Sequence, residues 1–566
     1  MSTRDSPVYT LDTETDPFEY GRLPRVFAIG FYDGNTRVSF WGRGCIEKMR
    51  LYLNAMPPGI IYIHNGGKFD VLGFLMPWVI NWPMRVINRR IVKGQMVCAG
   101  GFHELRDSYS IMPFPLGSYK GAEKKLKIEI WKLEKEHRNK YREEITQYML
   151  QDCIMLWHLC TAFVGRFGPK LTIGSVAMSE IKSFHSFECL SSSVDEDIRK
   201  NYFYGGRVEC FEKGLLKGNF KVYDVNSMYP FVMKNYRHPV GSPTYESRSI
   251  SDDTFFITAR GRNYGAFPVR EKQGINCNVD YGVFSVTRHE WDVAMRYGLF
   301  ECDEVIRCLD FAHHESFAKF VDTYYAEKVE AKKEGDFLSE LFAKFILNSG
   351  YGKFAQAPEN YSEYIITDDT VTMDHAWTPS RLIPTRGQRY VIWQKPTIDA
   401  SRYNVATGAS ITGAARSVLL DAIARAERPI YCDTDSLACE GIRGMEESDF
   451  DLGAWKLEAE ADTAAVAKKK LYAFFVSKKR DIKTALNGYT LTKTEKDGVK
   501  IWTKGDKEKK QEADGSLCVK LACKGVRVTP EEMKRICKGE TVVSQRTSPS
   551  FHLNGSHSFI QRKVKM

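Results

Sequence analysis

Residues 428–440, RPIYCDTDSLACE, place two acidic residues in the tip of a predicted hairpin. An apolar strand precedes the acids, residues 433–435 predict a tight turn, and a second apolar strand returns after it. Side chains alternate along an extended chain, so Asp433 and Asp435 are expected to point the same way. Two carboxylates in one small site repel each other unless a cation is present, so the pair indicates a Mg²⁺ site. A solvated turn is the alternative for a lone pair of this kind.

A third acid of the same type lies about two hundred residues earlier, in residues 220–230, FKVYDVNSMYP. Residues 222–225 predict a short apolar strand that carries Asp224 at its end, and a turn or helix follows. Asp224 is therefore a candidate partner of the two acids in the hairpin.

Between these segments, residues 338–351 have the spacing of a helix with two faces. The face that is predicted to be buried consists of Leu338, Leu341, Phe342 and Phe345. The adjacent stripe, which is expected to face a ligand, consists of Lys344, Asn348 and Tyr351.

A separate group of acids lies in the N-terminal part of the chain. Residues 9–15 predict a strand in which Asp12 and Glu14 share one face. Residues 64–70, HNGGKFD, predict a sharp glycine turn after a short strand at 60–63, and Asp70 begins an apolar helix. These three carboxylates form a second candidate site.

Residues 142–167 add a tyrosine and a fourth acid to this group on a predicted helix. Tyr148 and Asp152 are four residues apart and therefore lie on one face of the helix. A two-metal phosphodiesterase requires a set of this kind, which here is Asp12, Glu14, Asp70, Asp152 and Tyr148. One metal lowers the pKa of the attacking water, both metals stabilise the charge that develops at phosphorus, and the tyrosine orients the water.

The composition is that of a large globular protein. A chain of 566 residues is expected to form two or more domains, and 43% hydrophobic with 27% charged residues is ordinary for a folded protein. The first ten residues lack an apolar leader, and the longest apolar run, residues 71–83, is too short and too interrupted by proline to span a bilayer. We therefore expect a cytoplasmic protein without a membrane partner. Fourteen cysteines without a CxxC pair argue against a zinc ribbon and against structural disulfides.

The net charge of +10 comes almost entirely from residues 468–510, which contain fourteen Lys or Arg and five Asp or Glu. Five aromatic residues are interleaved with these charges. Basic residues mixed with aromatic residues favour a polyphosphate partner, and a solvated surface hairpin is the alternative.

The three segments described first resemble, in chain order, motifs A, B and C of the family B DNA polymerases. Residues 224–230 have the form DxxxxYP, residues 431–436 have the form YxDTDS, and residues 344–352, KFILNSGYG, stand between them. The resemblance implies that Asp224 and Asp435 hold two Mg²⁺ ions, for which Mn²⁺ is expected to substitute.

The same resemblance implies contacts with the incoming dNTP. The residues concerned are Val225, Tyr229, Lys344, Asn348, Tyr351 and Tyr431. Tyr229 would stack under the deoxyribose and exclude a 2′-hydroxyl, and Lys344 would reach the triphosphate. Asp433 is implied as a supporting acid, and the backbone carbonyl of Val225 is implied as a further metal ligand.

The N-terminal acids resemble the Exo I, Exo II and Exo III motifs of the proofreading 3′-5′ exonuclease, with a tyrosine in the third motif. The resemblance implies a metal site formed by Asp12, Glu14, Asp70 and Asp152. The residues implied to hold the single-stranded 3′ end are Asn65, Phe69, Ser108 and Tyr109, of which Tyr109 replaces a leucine found in some relatives. Lys132 stands near the position of a catalytic lysine in these relatives, and a solvated helix lysine is the alternative.

Three short segments resemble DNA-binding motifs of the same family and fall in the family's order. Gly205 and Gly206 belong to a YxGG-like segment, with Phe203 in the usual tyrosine position, and glycines let backbone N–H groups approach phosphate. The other segments are TxxAR, with Thr412 and Arg416, and KxY, with Lys470 and Tyr472.

The intervals between the motifs resemble those of the protein-primed phage polymerases, and the tectivirus-like subgroup in particular. The resemblance implies an α/β and α+β multidomain protein, with an RNase H-like 3′-5′ exonuclease domain at residues 1–170 and a right-hand polymerase domain at 171–566. The parts expected within the polymerase domain are a palm that carries the motif A and motif C acids, insertion 1 at about 231–335, fingers at about 336–354, insertion 2 at about 355–399 and a thumb at about 460–566.

Insertion 2 is expected to form a β-hairpin that projects from the palm, because turn residues separate its strand-like stretches. The resemblance further implies a monomer that binds template and primer DNA, dNTPs and a terminal protein, whose hydroxyl replaces the primer at initiation. It also implies displacement of the downstream strand. The alternatives are a DNA-binding metal exonuclease, a family B polymerase primed by nucleic acid, and a catalytically inactive scaffold.

Overall fold

The computed structural model of the 566-residue chain describes residues 6–119, 125–272, 274–356, 361–368, 370–385, 388–396, 403–477, 490–494, 500–504, 507–512 and 514–566. The strands, in chain order, are β1 (Val8–Thr15), β2 (Val26–Tyr32), β3 (Arg37–Trp41), β4 (Ile60–Ile63), β5 (Met84–Ile87), β6 (Arg90–Cys98), β7 (Gly101–Asp107), β8 (Val208–Cys210), β9 (Gly214–Val225), β10 (His238–Pro239), β11 (Tyr245–Ser247), β12 (Thr254–Asn263), β13 (Val269–Glu271), β14 (Gly274–Asn276), β15 (Tyr281–Thr287), β16 (Phe300–Asp310), β17 (His314–Glu315), β18 (Tyr361–Asp368), β19 (Thr378–Thr385), β20 (Gln388–Pro396), β21 (Ala426–Glu427), β22 (Tyr431–Asp433), β23 (Ser436–Cys439), β24 (Gly441–Ile442), β25 (Trp455–Lys468), β26 (Leu471–Val476), β27 (Thr490–Thr494), β28 (Lys500–Lys504), β29 (Lys507–Lys510), β30 (Leu517–Cys523), β31 (Val542–Gln545), β32 (Ser550–Phe551), β33 (His557–Ser558) and β34 (Gln561–Val564). The α-helices are α1 (Cys45–Ala55), α2 (Met76–Val79), α3 (Arg142–Phe167), α4 (Ile173–Phe184), α5 (Ser192–Asn201), α6 (Met228–Asn235), α7 (Arg288–Arg296), α8 (Ala318–Glu334), α9 (Phe337–Phe354), α10 (Val405–Arg425) and α11 (Pro530–Cys537).

The chain forms two units, each assembled from distant segments. Unit 1 comprises Met1–Ser183, Thr323–Arg402 and Arg546–Ile560. Unit 2 comprises Phe184–Asp322, Tyr403–Gln545 and Gln561–Met566. The predicted domains were divided at residue 170. In the structure, the motif B helix and insertion 2 belong instead to unit 1, together with the N-terminal acids.

Unit 1 is built on one ten-stranded sheet in the order β19-β20-β18-β5-β6-β7-β4-β1-β2-β3. β4 pairs in parallel with both β1 and β7, and the other neighbours are antiparallel. Helix α3 lies against β1, where the Thr10 hydroxyl donates to the Cys153 carbonyl at 2.8 Å. The predicted strands at 9–15 and 60–63 and the helix at 142–167 are confirmed.

Insertion 2 supplies the three outer strands of this sheet. β18 pairs with β5, and Arg85 donates to Glu363 across that pairing at 2.9 Å. Ile366 and Ile392 are buried in the same hydrophobic core as Leu75. The predicted β-hairpin is present, since β19 and β20 pair antiparallel, but it extends the sheet of unit 1, so the prediction that it projects from the palm is wrong. A free edge at β5 would leave backbone groups unpaired, and β18 pairs with them instead.

Helix α9, which carries the motif B residues, packs against α3. The Phe342 ring makes edge contacts with Phe163 and Phe167, at centroid distances of 6.0 and 5.5 Å. Of the four side chains predicted to be buried, Phe342 is buried and the other three are half-buried, because the buried face also includes Ile346 and Leu347. In the stripe that was predicted to face a ligand, Lys344 and Asn348 are exposed and Tyr351 is half-buried, and its contact with a ligand stays a prediction.

Unit 2 contains an antiparallel seven-stranded sheet in the order β30-β26-β25-β9-β23-β22-β8. The central strand β9 ends at Val225, one residue after Asp224. Strands β22 and β23 confirm the hairpin predicted in residues 428–440. Because β23 pairs with β9, two segments about two hundred residues apart in sequence bring their acids together.

Insertion 1 adds a second sheet to unit 2, in the order β11-β16-β12-β15. Helix α7 follows β15 and begins with a capping box, in which the Thr287 hydroxyl accepts from the Glu290 backbone and the Glu290 carboxylate accepts from the Thr287 backbone. The cap fixes Glu290 in the interior of the unit, where it has a second role described below.

The basic segment 468–510 is described in part. β27, β28 and β29 form a three-stranded sheet, and Lys468 and Lys469 are exposed. Residues 478–489, 495–499 and 505–506 of this segment lie outside the described residues. The predicted polyphosphate partner of this segment stays a prediction.

All fourteen cysteines are free thiols, as predicted. Most are buried, although Cys189 and Cys302 are exposed. Among the helices that the structure describes, none is long and apolar enough to cross a membrane.

Candidate active sites

The first candidate site lies where β9 and β23 meet in unit 2. Asp224 stands opposite Ser436 in the strand register, and the Val225 amide donates to the Asp435 carbonyl at 2.8 Å. Burial, followed by repulsion from Asp435, raises the pKa of Asp224 to about 7. Burial also raises the pKa of Asp435. Two half-buried carboxylates that repel each other are a pair that a divalent cation would stabilise.

The turn between Asp433 and Asp435 is held in an unusual backbone conformation. Thr434 has a φ of 61°, in the left-handed region that a β-branched residue rarely adopts. Its amide donates to the Arg207 carbonyl at 2.7 Å, and a Cβ atom on Gly206 would lie 2.6 Å from its side chain. The second glycine of the YxGG-like segment is thus required for a close approach to this turn. Contact of Gly205 and Gly206 with DNA stays a prediction.

The carboxylate of Asp433 is bound to the KxY segment. Lys470 Nζ lies 2.6 Å from Asp433 Oδ1, and the Lys470 amide donates to the Tyr431 hydroxyl at 3.0 Å. The Tyr431 and Tyr472 rings lie 4.4 Å apart between centroids, and both are buried. The predicted direct contacts of these two rings with nucleotide and DNA are therefore not supported, because each ring faces the other and the protein core. Their packing places Lys470 beside Asp433.

Thr412 and Arg416 are both buried in α10, with 3% of each residue exposed, so a direct contact of these side chains with DNA is not supported. Arg416 forms an ion pair with Glu290, with N–O distances of 2.7 and 2.9 Å. It also donates to the carbonyls of Tyr204 and Gly205 at 2.6 and 2.9 Å. Arg416 thus fixes the glycine turn that supports the motif C acids.

The remaining nucleotide-contact candidates lie on two helices. Tyr229 is half-buried on α6 in unit 2. Lys344, Asn348 and Tyr351 lie on the accessible face of α9 in unit 1. Their contacts with a nucleotide, and the role of the Val225 carbonyl as a ligand, stay predictions.

The second candidate site is a cavity of about 1080 Å³ in unit 1. Its lining includes Asp12, Glu14, Tyr148 and Asp152. Burial raises the pKa of Glu14 to about 8 and raises that of Asp12 well above its ordinary value, with further contributions from neighbouring acids. Asp70 is buried beside this group, which raises its pKa to about 6, and it accepts a hydrogen bond from Thr13. The structure thus brings the four predicted acids and the tyrosine together.

A lysine that the sequence analysis missed enters this acidic cavity. Lys125 is bonded to Asp152, and its Nζ lies 5.0 Å from the centre of the Tyr148 ring. Burial lowers the pKa of Lys125, but the nearby Asp152 charge outweighs burial and holds the pKa above its ordinary value. Lys132 lies outside the lining of this cavity, bonded to Glu144 at 2.7 Å, so of the two alternatives left open for Lys132 the structure supports a lysine without a place in the acidic site. Lys125 lies in residues 124–127, KKLK, where no helical or strand spacing distinguishes one lysine from the others.

The lining of the same cavity also contains basic and aromatic residues. Tyr109 stacks with the Arg90 guanidinium at 4.6 Å, and Arg90 donates to Asn65 at 3.0 Å. Phe69 contacts Phe551 from the C-terminal segment at 5.6 Å. Arg90 and Phe551 were not predicted, because neither lies near a motif in sequence.

Ser108 differs from the other predicted 3′-end contacts, because it is fully buried and bonded to His64 at 3.0 Å. A direct contact between the Ser108 side chain and DNA is therefore not supported. Contacts of Asn65, Phe69 and Tyr109 with a DNA strand stay predictions.

The donor chemistry of both groups of acids fits a divalent cation. Oδ1 of Asp152 is buried and has no hydrogen-bond partner in the described part of the chain. As the side chains stand, no three His, Cys, Asp or Glu side chains within the described ranges form a metal-binding cluster. The raised pKa values nevertheless mark carboxylates whose charged form needs a positive partner, which is what a bound Mg²⁺ supplies.

Comparison with known proteins agrees with this arrangement. Residues 101–448 match the family described as DNA polymerase type B, organellar and viral. The chain is 39% identical over 560 residues to a DNA-directed DNA polymerase of Enterobacteria phage PRD1, which covers 99% of this chain and 98% of the relative.

The fold is similar to a solved structure of Phi29 DNA polymerase in an orthorhombic crystal form, with a TM-score of 0.72 and 18% identity over 99% of this chain and 100% of the other. A complex of Phi29 DNA polymerase with primer-template DNA and incoming nucleotide substrates has a TM-score of 0.71 with the same identity and coverage. The predicted fold class, an exonuclease domain with a right-hand polymerase domain, is confirmed. The family match covers more than half of the chain, and the phage relative spans nearly all of it. The chain belongs to the type B DNA polymerases of viruses and organelles, and it is a DNA-directed DNA polymerase.

Proposed function

We propose that the chain extends a primer 3′ end with dNTPs by a two-metal mechanism, removes nucleotides from a single-stranded 3′ end, and begins replication on a terminal protein. The observation that carries the first two activities is the presence of two groups of buried or half-buried carboxylates with raised pKa values, one in each unit. A DNA-binding nuclease or an inactive scaffold would need at most one such group.

In the polymerase site, Asp224 and Asp435 hold their carboxylates on adjacent strands in a partly buried position. Two Mg²⁺ ions bound there would stabilise the attacking 3′-oxygen and the leaving pyrophosphate. Lys470 neutralises the charge of Asp433. The repulsion that Asp433 exerts on Asp224 and Asp435 is therefore weaker, and Asp433 serves to support the turn. Arg416 holds the carbonyls of Tyr204 and Gly205, and Gly206 leaves room for the Thr434 side chain in the turn.

In the exonuclease site, Tyr148 lines the same cavity as the acids, and its hydroxyl would orient the attacking water. Lys125 holds Asp152 and lies over the Tyr148 ring, so it fixes the relative position of the two groups. Its ammonium group also places a positive charge beside the site of phosphodiester cleavage, where negative charge develops.

Replacement of Lys125 with methionine is expected to slow 3′-5′ degradation by about 10²-fold, because one charged group that stabilises the transition state is lost. Degradation of an end-labelled single strand measures the rate. Lys132→Met is the matched control, since that lysine is bonded to Glu144 outside the cavity. Equal losses in the two variants would contradict the assignment of Lys125.

Protein priming is supported by the two long segments between the motifs, both of which are built into the fold. Insertion 1 forms its own sheet in unit 2, and insertion 2 extends the sheet of unit 1. We expect a monomer that acts in the cytoplasm of a host cell on template and primer DNA and dNTPs, with a terminal protein as its priming partner.

Replacement of residues 359–395 with a short Gly/Ser linker is expected to spare single-nucleotide addition on an open template and to cripple extension through a duplex block. The polymerase acids lie in unit 2, whereas these residues lie in unit 1. Replacement of residues 370–377 alone, which lie between β18 and β19, is the control that keeps the pairing of β18 with β5. Gap filling and strand displacement are measured side by side. If the folded 359–395 variant retained both activities equally, insertion 2 would have no role in strand displacement.

The most direct test of the proposed function is nucleotide incorporation on a primed template with Mg²⁺, repeated with Mn²⁺. Incorporation together with 3′-5′ degradation supports the proposal. Degradation without incorporation would favour the nuclease, and neither activity would favour the scaffold. Incorporation with a nucleic-acid primer but not with a terminal protein would favour the polymerase that lacks protein priming.

A further inference from the structure

Unit 2 also contains a cavity, of about 310 Å³, which lies beside β8 at the edge of the seven-stranded sheet. Its charged lining residues are Arg207, Lys213, Lys468, Lys469, Glu209 and Glu271. The four cations exceed the two carboxylates by two. The cavity therefore favours an anion.

The buried wall of this cavity contains an arginine that is not fully paired. Arg207 is 4% exposed, and its Nε and Nη2 donate to Glu209 at 2.9 and 2.6 Å. Its Nη1 is buried and has no hydrogen-bond partner among the described residues. A buried guanidinium nitrogen without an acceptor is costly, and an oxygen of a bound anion would satisfy it.

The rim of the cavity carries the other cations. Lys213 and Lys468 are exposed, and Lys469 donates to the Ile275 carbonyl of insertion 1 at 2.8 Å. The Glu271 carboxylate accepts from Asn276 at 2.8 Å, so it is already engaged. The cavity thus combines one buried donor with exposed ammonium groups, an arrangement suited to a phosphate group.

We propose that this cavity binds a phosphate group, with Arg207 as the inner donor and Lys213 and Lys468 at the rim. The phosphate belongs either to the backbone of a bound DNA strand or to a free phosphate or pyrophosphate ion. The cavity volume of about 310 Å³ has room for either source.

Occupancy of the cavity bears on the polymerase site through one strand pairing. The Arg207 carbonyl accepts from the amide of Thr434, between the two acids of the motif C turn, at 2.7 Å. Next to Arg207, Val208 stands opposite Asp433 in the pairing of β8 with β22. A phosphate held by Arg207 therefore restrains the backbone that positions the turn.

The test compares two double variants. The cavity variant combines Lys213→Gln and Lys468→Gln, and the control variant combines Lys319→Gln and Lys538→Gln. The control lysines are exposed in the same unit and do not line the cavity, so both variants lose the same charge. Neither variant touches the buried Arg207–Glu209 pair, and all four lysines are exposed, so we expect both variants to fold. The readouts are binding and unfolding, so their outcome is independent of whether the chain incorporates nucleotides.

The first arm measures the affinity for a primer-template duplex over a range of salt concentrations. If the phosphate belongs to DNA, the cavity variant lowers the slope of log affinity against log salt by about 0.9 for each lost phosphate contact, and the control does not. The second arm measures the thermal unfolding of the DNA-free protein with millimolar inorganic phosphate or pyrophosphate at constant ionic strength. If the phosphate is a free ion, these anions stabilise the native protein and the control more than the cavity variant. Indistinguishable behaviour of the two variants in both arms overturns the proposal.

Discussion

Asp224→Asn and Asp435→Asn are each expected to lower nucleotide incorporation at least about 10³-fold, which corresponds to about 4 kcal/mol of transition-state stabilisation. The two acids lie on paired strands, and each contributes one carboxylate to the same small site. Loss of either charge weakens the hold on both metal ions and thus on the attacking and leaving oxygens. Single-nucleotide addition on a primed template, measured at saturating dNTP, gives the rate. Near-normal addition by either variant would remove this site from the polymerase mechanism.

The stability of the Asp224→Asn variant provides the control for folding. The folded-state pKa of Asp224 is raised to about 7, whereas an unfolded aspartate titrates near about 4. The folded protein therefore binds a proton that the unfolded chain releases, and this contribution to stability is lost as the pH rises through about 7. Asparagine does not ionise, so the metal-free variant should be at least as stable as the native protein at about pH 8. A large drop in its melting temperature would mean that lost activity reflects misfolding.

The sequence could predict those parts of the sites that lie on regular elements. Period-two and period-3.6 patterns placed Asp12 on β1 and Asp152 on α3, and an apolar run that ends in an acid placed Asp224 at the end of β9. In each case one strand or helix contains both the pattern and the functional side chain, so local spacing is sufficient.

The sequence could not predict contacts that depend on pairing between distant segments. Arg416 has the spacing of a DNA-binding motif, yet it is buried because Glu290, 126 residues earlier, neutralises it. Lys125 precedes Asp152 by 27 residues with no helical or strand spacing between them. Insertion 2 contains alternating strand residues, but the free edge that β18 covers is β5, far away in sequence. Charge neutralisation and edge pairing are properties of the folded chain, and local patterns do not encode them.

Asp12→Ala combined with Asp70→Ala is expected to reduce 3′-5′ degradation of single strands by at least about 10³-fold while extension of a matched primer survives. Both acids are buried in unit 1, whereas Asp224 and Asp435 belong to unit 2. Each activity therefore has its own carboxylates, and the loss of one set leaves the other intact. Degradation of a labelled single strand and extension of a matched primer are measured on the same preparation.

The double variant also removes two buried acids whose pKa values are raised by burial, so its folding should not suffer at neutral pH. Asp16→Ala is a suitable control, because Asp16 lies one residue beyond β1 and bonds Arg138 without lining the acidic cavity. Degradation should persist in that control and fail in the double variant. Mismatched primers separate the two activities further: the double variant should extend a terminal mismatch that the native protein first removes. Loss of extension on matched primers by the folded double variant would show that the two sets of acids do not act separately.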